Sequence, residues 1–205
     1  MQARYVTGLV LAGGDSTRMG RDKAFFDLGG ETLLERQIRV LRDSGLERIL
    51  VSLPPHLDVP GSNLTVIRDD EPGMGPLAGI VAALEHAPRH PLFVLAVDMP
   101  GVSRSLVRTI LRQATREAGV VPKASERWEP LCAIYPAGVL DTAKRHLRGR
   151  HRSPSRLAAE LAREGRVRAH PIPAEEAWSL RSWNRPDDFP RESPGFTDSG
   201  DTTDT

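Results

Sequence analysis

A single cysteine, Cys132, in 205 residues leaves no internal disulfide to form and implies no oxidising compartment. Long apolar runs are missing too, and no stretch approaches the ~20 consecutive apolar residues that a membrane helix needs. The opening Met1-Gln2-Ala3-Arg4-Tyr5-Val6 has no apolar core of signal-peptide length. Neither sign of charge dominates: the formal net charge is +1, which argues against a general polyanion binder. The six histidines show no metal-binding spacing such as His-Glu-x-x-His, so none is read as a ligand. There is no internal repeat and no interdomain linker. The cytoplasm is the expected location. What is present is 39% apolar and 27% charged residues, the proportions of a globular domain long enough to bury a core.

Strand-like and helix-like patterns alternate. Val6 to Leu11 is a short apolar run stopped by Ala12-Gly13-Gly14. Leu33, Leu34, Ile38, Val40 and Leu41 recur at helical spacing and end at Gly45. Residues 48–53 read as a strand stopped by Pro54-Pro55, and 64–67 as another. Leu77, Ile80, Val81 and Leu84 share one helical face. The run 92–97 is apolar throughout, like a strand covered on both faces. Ser103 reads as the cap of a helix carrying Leu106, Val107, Ile110 and Leu111. Later strands are expected at 119–121 and 131–135, and helices at 139–147 and 155–161, with Ser153-Pro154 as a cap and first-turn pair. This alternation predicts a mostly parallel sheet with helices on both faces. One domain is expected over 1–189. Residues 190–205 are mostly Ser, Thr, Asp, Gly and Pro, with one Phe, one Arg and one Glu, a composition expected to be disordered.

The first chemical motif is Leu11-Ala12-Gly13-Gly14-Asp15-Ser16-Thr17-Arg18-Met19-Gly20-Arg21-Asp22-Lys23. It follows the first strand, where an open α/β sheet tends to place its ligand. Glycines let the backbone turn sharply, and successive N–H groups in such a turn form an anion nest. A nucleoside triphosphate carries roughly four negative charges, so Arg18, Lys23 and a metal ion are the expected complement to backbone amides. The motif is not a P-loop, because no Gly-Lys-Ser/Thr follows, and its glycine spacing is not that of the dinucleotide fingerprint.

Leu-Ala-Gly-Gly, then Arg-Met-Gly, then Asp-Lys resembles the signature of the MobA-like nucleotidyltransferases, whose founding member is molybdenum cofactor guanylyltransferase. The resemblance implies a three-layer α/β/α, Rossmann-like fold with a mixed, mostly parallel sheet, of the nucleotide-diphospho-sugar transferase type. It implies backbone contacts to the nucleoside from Leu11, Ala12, Gly13 and Gly14. It also implies that Arg18 and Lys23 stabilise the reacting phosphates.

Gly73-Met74-Gly75-Pro76-Leu77-Ala78-Gly79-Ile80 follows the third strand, and Pro76 suits a helix first turn. Gly79 lies one turn into that helix, where glycine costs ~1 kcal/mol against alanine. Either a flat ligand or tight packing of helix on strand explains it. Gly-Pro-Leu-Ala-Gly looks like the base-recognition segment of the family, and by the same resemblance Asp69 contacts the nucleotide.

Asp98 directly follows the most apolar strand, so it sits at the carboxyl edge of the sheet and suits Mg²⁺. A capping role for the helix beginning near Ser103 is the alternative, weakened by Pro100. In the family this position is the magnesium-binding aspartate. Ser182-Trp183-Asn184-Arg185-Pro186-Asp187-Asp188 resembles the family's Asn-x-Asn-Thr-Pro-x-Asp, with Asn184, Pro186 and Asp188 matching and Ser182 and Arg185 departing. Asn184 is a candidate for the metal or the acceptor phosphate, and equally for a local Asx turn. Trp128-Glu129-Pro130-Leu131 matches an acceptor-side Pro-Leu strand. Ser52 stands where the guanylyltransferase has a nucleotide-contacting Asn, and one hydroxyl reads a base less selectively than an amide.

The implied reaction joins GTP to Mo-molybdopterin with release of pyrophosphate. Mg²⁺ is the implied cofactor, and molybdenum-cofactor biosynthesis or delivery proteins are the implied partners; neither nucleic acid nor membrane is. A cytidylyltransferase, another small-molecule phosphate nucleotidyltransferase of the family, and a non-catalytic nucleotide-binding adaptor are the rival readings. The basic run 144–152 reads as a collar for an anionic pterin phosphate or as a solvated helix end. Trp128 and Trp183 read as pterin-pocket walls or as buried rim residues. Cys132 reads as core.

Overall fold

The computed structural model describes residues 1–13, 23–55, 57, 59, 64–68, 73–150, 152–184 and 188. Eight strands form one sheet: β1 (Thr7–Leu11), β2 (Arg48–Leu53), β3 (Thr65–Arg68), β4 (Leu92–Ala96), β5 (Gly119–Ala124), β6 (Arg127–Trp128), β7 (Cys132–Tyr135) and β8 (Val167–Ile172). The helices are α1 (Leu33–Asp43), α2 (Pro76–His86), α3 (Arg104–Gln113), α4 (Leu140–Arg148) and α5 (Pro154–Arg163).

The sheet order is β3-β2-β1-β4-β7-β5-β6, with β8 on the other side of β5. β3, β2, β1 and β4 run parallel. β7 is antiparallel to both β4 and β5, and β8 is parallel to β5. β5 and β8 therefore point the same way as β4. The carboxyl ends of six strands meet at one edge, and the loops leaving that edge build the site.

Side chains alternate between two buried clusters. One holds Val6, Val10 and Val51 against Leu34, Ile38 and Leu41 of α1 and Val107, Ile110 and Leu111 of α3. The other holds Leu9, Leu11 and Leu50 against Leu77, Ile80 and Leu84 of α2, Ala143 of α4 and Leu157 and Leu161 of α5. Two cores flanking one sheet make three layers, as the alternating pattern predicts.

Local signals explain the helix boundaries. The Thr32 side chain accepts from the Glu35 amide while the Glu35 carboxylate accepts from the Thr32 amide, a reciprocal cap that starts α1. Ser103 caps α3 by accepting from Leu106 N–H at 3.2 Å. Pro76 opens α2. Ser153 precedes Pro154 at the start of α5, but its hydroxyl makes no capping bond, so the proline alone carries that start signal.

β6, β8 and the 3-10 helix Ala174–Leu180 lie where the sequence pattern gives no clear signal. β6 has two residues, and β8 carries Pro171 and exposes its middle at the sheet edge. Residues 190–205 fall outside the described residues.

Candidate functional site

The Gly-rich segment follows β1, which lies between β2 and β4. Its first residues are anchored by the sheet: the Ala12 amide donates to Ser52 O at 3.0 Å, and Leu11 O accepts from the Val97 amide at 2.9 Å. The Ala12 amide and the Leu11 carbonyl are thereby taken by the sheet. Gly14, Arg18 and Asp69 lie outside the described residues.

Lys23 stands in a one-turn 3-10 helix, Lys23–Phe25, with Ala24 buried beneath it. Its ammonium donates to Asn184 Oδ1 at 2.5 Å, across 161 residues of chain. Its charge also acts on Asp98. Lys23, Asp98 and Asn184, distant in sequence, thus converge at the carboxyl edge.

Asp98 is held in place twice. From the C-terminal segment, the Trp183 amide donates to Asp98 O at 2.7 Å and the Ser182 hydroxyl hydrogen-bonds the Asp98 carboxyl. From α1, Gln37 Nε2 donates to Ala96 O (3.2 Å) and Met99 O (2.8 Å), and Arg36 Nε donates to Pro100 O (2.9 Å). These bonds pin both flanks of the loop carrying Asp98. Burial pushes its carboxyl above the ordinary value of 3.8, while the Lys23 charge, a backbone hydrogen bond and Ser182 pull it back. A carboxylate that loses hydration and keeps one cation nearby is poised to accept a second.

Sequence reasoning missed Ser182, Arg36 and Gln37 as members of this assembly. Ser182 departs from the family's Asn, yet its hydroxyl still reaches Asp98. Gln37 carried a legible signal: it falls on the apolar stripe with Leu33, Leu34 and Leu41, and a fully buried amide there demands partners. The Asn184 backbone amide donates to Asp188 Oδ2 at 2.7 Å, and its side-chain oxygen accepts from Lys23.

Gly79 is explained by packing. A Cβ built there would lie 2.7 Å from Leu11 Cδ2 and 2.8 Å from Ser52 Oγ. The residue lets α2 sit down on β1 and β2, and no ligand is needed to account for it. Ser52 is 2% exposed and faces that same glycine. Its side chain is part of the helix-on-sheet contact.

The other half of the edge is built from β5, β6 and the segment before β7. Lys123 Nζ lies 5.5 Å from the centre of the half-buried Trp128 ring and pairs with Glu126 at 2.7 Å. Glu129 pairs with Arg127 at 3.2 Å, and burial pushes its carboxyl upward against that charge. Leu131 O accepts from the Ala96 amide, which places this segment two residues from Asp98. Trp183 packs half-buried on the core. The Cys132 thiol is pushed up to about 12, chiefly by burial, and is no nucleophile near neutral pH. Part of the basic run serves the scaffold: Lys144 pairs with Glu85, and Arg145 and His146 pair with Glu160.

A cation, a buried carboxylate and an amide oxygen thus lie at the carboxyl edge of an open, mostly parallel sheet, in an α/β fold of the nucleotide-diphospho-sugar transferase type. The MobA-like NTP transferase domain matches residues 8–165, and the chain belongs to that family. A probable molybdenum cofactor guanylyltransferase of Opitutus terrae is 42% identical over 193 residues, covering 93% of this chain and 96% of that protein. The molybdenum cofactor guanylyltransferase of Desulfosudis oleivorans is 35% identical over 144 residues, 69% of this chain and 71% of that protein. Among solved structures, molybdopterin-guanine dinucleotide biosynthesis protein A from Archaeoglobus fulgidus superposes with a TM-score of 0.66 at 25% identity, covering 89% of this chain and 94% of that one.

Proposed function

We propose that this chain is a Mg²⁺-dependent molybdenum cofactor guanylyltransferase of the cytoplasm, transferring GMP from GTP to Mo-molybdopterin and releasing pyrophosphate. The observation that carries the reading is the meeting of Lys23, Asp98 and Asn184 at the carboxyl edge of the sheet.

The acceptor is a phosphate monoester. One of its oxygens attacks the α-phosphorus of GTP, a new P–O bond forms, and the bond to the β-phosphate oxygen breaks. The attacking oxygen is already anionic, so no strong general base is required; alignment and charge neutralisation are. Lys23 lies where it can neutralise charge on the reacting phosphates, and Arg18 is assigned to the same task from its place in the motif. Gly13 and Gly14 offer backbone N–H groups to the triphosphate.

The Asp98 carboxylate and Asn184 Oδ1 are hard oxygen donors, a set that suits Mg²⁺ completed by phosphates and water. Bound there, the ion would supply positive charge to the phosphates. Ser182, Gln37 and Arg36 keep Asp98 aimed at that position. Lys123, Trp128 and Glu129 face the acceptor side, where an aromatic ring and a cation fit a pterin and its phosphate.

Incubation of the purified chain with Mg²⁺, Mo-molybdopterin and each of GTP, CTP, ATP and UTP tests the proposal by pyrophosphate release. GTP alone is expected to turn over, and to raise the melting temperature most among the four. Turnover with CTP in place of GTP would overturn the guanylyl assignment. No pyrophosphate from any nucleotide would overturn the enzyme itself.

A further inference from the structure

The opposite edge of the sheet holds a cavity of about 610 Å³. It lies where the amino ends of β1, β2 and β3 meet the carboxyl ends of α1 and α2. Thr7 pairs in register with Arg48, and Leu50 with Thr65. Leu50 and Leu9 pack in the α2-side core, so by strand alternation Thr7, Arg48 and Thr65 face the same side and form the floor. Arg89, just past α2, forms the roof, and Arg42 from the last turn of α1 closes one flank.

Three arginines line the cavity against one carboxylate, Glu47, which leaves two net positive charges. Arg48 is pre-oriented. Its Nη1 donates to His90 Nε2 at 3.0 Å, and His90 Nδ1 donates to Tyr5 O at 3.0 Å. A guanidinium only donates and a carbonyl only accepts, so the His90 ring bridges Arg48 to the Tyr5 carbonyl. The side chains of Arg42 and Arg89 have no hydrogen-bond or ion-pair partner among the described residues. Arg42 is not needed to cap α1, whose last carbonyls already accept from the Ser44, Gly45 and Leu46 amides. Thr7 is 1% exposed, and its hydroxyl is buried with no partner. Two unused guanidinium forks and a third held in place are the donor set of a phosphoryl group. The ends of α1 and α2 oppose an anion with ~0.5 charge each, less than the full charges facing them.

We propose that this cavity is a second binding site, for a phosphate-bearing small molecule, separate from the transfer site. Thr7 to Leu11 is four strand steps of ~3.3 Å, so roughly 13 Å of β1 alone separates the two sites. The site stands independently of the reaction assigned above.

Calorimetric titration with inorganic phosphate, and separately with pyrophosphate, tests it on three forms of the full chain: wild type, Arg42→Ala/Arg89→Ala and Lys23→Ala. Both arginines are exposed, so the double variant is expected to unfold at the wild-type temperature and to retain wild-type turnover. Wild type is expected to take up pyrophosphate at two sites. The double variant should lose one of them, with binding weakened about tenfold or more, and Lys23→Ala should lose the other. Arg42→Lys/Arg89→Lys should recover part of the affinity. Retention by inorganic phosphate identifies the phosphoryl group itself as the ligand; binding of pyrophosphate alone restricts it to a diphosphate. A double variant that binds both anions as wild type does, or a single site abolished by Lys23→Ala, overturns the proposal.

Discussion

Replacing Gly79 with alanine tests how α2 is seated on the sheet. The added Cβ would lie 2.7 Å from Leu11 Cδ2 and 2.8 Å from Ser52 Oγ. Ordinary carbon contacts are ~3.5–4.0 Å, so the deficit is roughly 1 Å on two sides at once. Leu11 is 5% exposed and Ser52 2%, and neither can swing into solvent to relieve it. Overpacking of this kind costs ~1–3 kcal/mol. Glycine to alanine within a helix returns ~1 kcal/mol. The net is a destabilisation of about 1 kcal/mol, which lowers the melting temperature by roughly 2–4 °C in a chain of this size. Urea unfolding followed by circular dichroism measures it. Leu11→Val removes the nearer methyl, so the double variant should lose less than the sum of the two single changes. A Gly79→Ala protein that gains ~1 kcal/mol, as a solvent-facing helix position would, and shows no coupling to Leu11 refutes the packing account. If it instead folds with unchanged stability and fails to bind GTP, the glycine is there for the nucleotide.

Lys23→Ala should lower kcat by about tenfold or more, since it removes the ammonium beside Asp98 and Asn184; unchanged steady-state turnover would reject its role. Asp98→Asn should abolish Mg²⁺-dependent turnover without lowering the melting temperature. The folded-state pKa of Asp98 is raised, so its contribution favours the fold below the unfolded value and is lost as pH rises through the folded one; at neutral pH the ionised group is a cost that Asn removes. A lowered melting temperature for that variant would contradict the electrostatics. In the wild type, turnover should fall in acid at a higher pH than an exposed aspartate would dictate, measured as kcat against pH. Gln37→Ala strips donors from the carbonyls of Ala96 and Met99 and should cost ~1–3 kcal/mol of stability. It should lower kcat more than it raises the KM for GTP; the reverse split would remove it as a positioning residue for Asp98.

The sequence by itself determined the elements whose signals are local. Caps, breakers and apolar periods placed all five helices and six of the eight strands, because each such signal acts within a few residues of chain. The Gly-rich segment, Lys23 and Asp98 stand out as candidates for the same reason: each follows directly on a strand end or a glycine spacing. Tertiary structure decided what local signals do not encode. β8 exists because β5 offers it an edge, since its own pattern is interrupted by Pro171 and half exposed. Gly79 has two local explanations, and only the approach of Leu11 and Ser52 selects packing. Asn184 reads equally as a ligand to metal or acceptor phosphate and as a turn residue, and its contact with Lys23, 161 residues away, arises only when the chain folds back. The bonds from Gln37 and Ser182 that hold the Asp98 loop, and the arginine-lined cavity at the far edge, depend on which strand ends and helix ends meet in space. That meeting is set by sheet order, a property of long-range pairing that no short window of sequence carries.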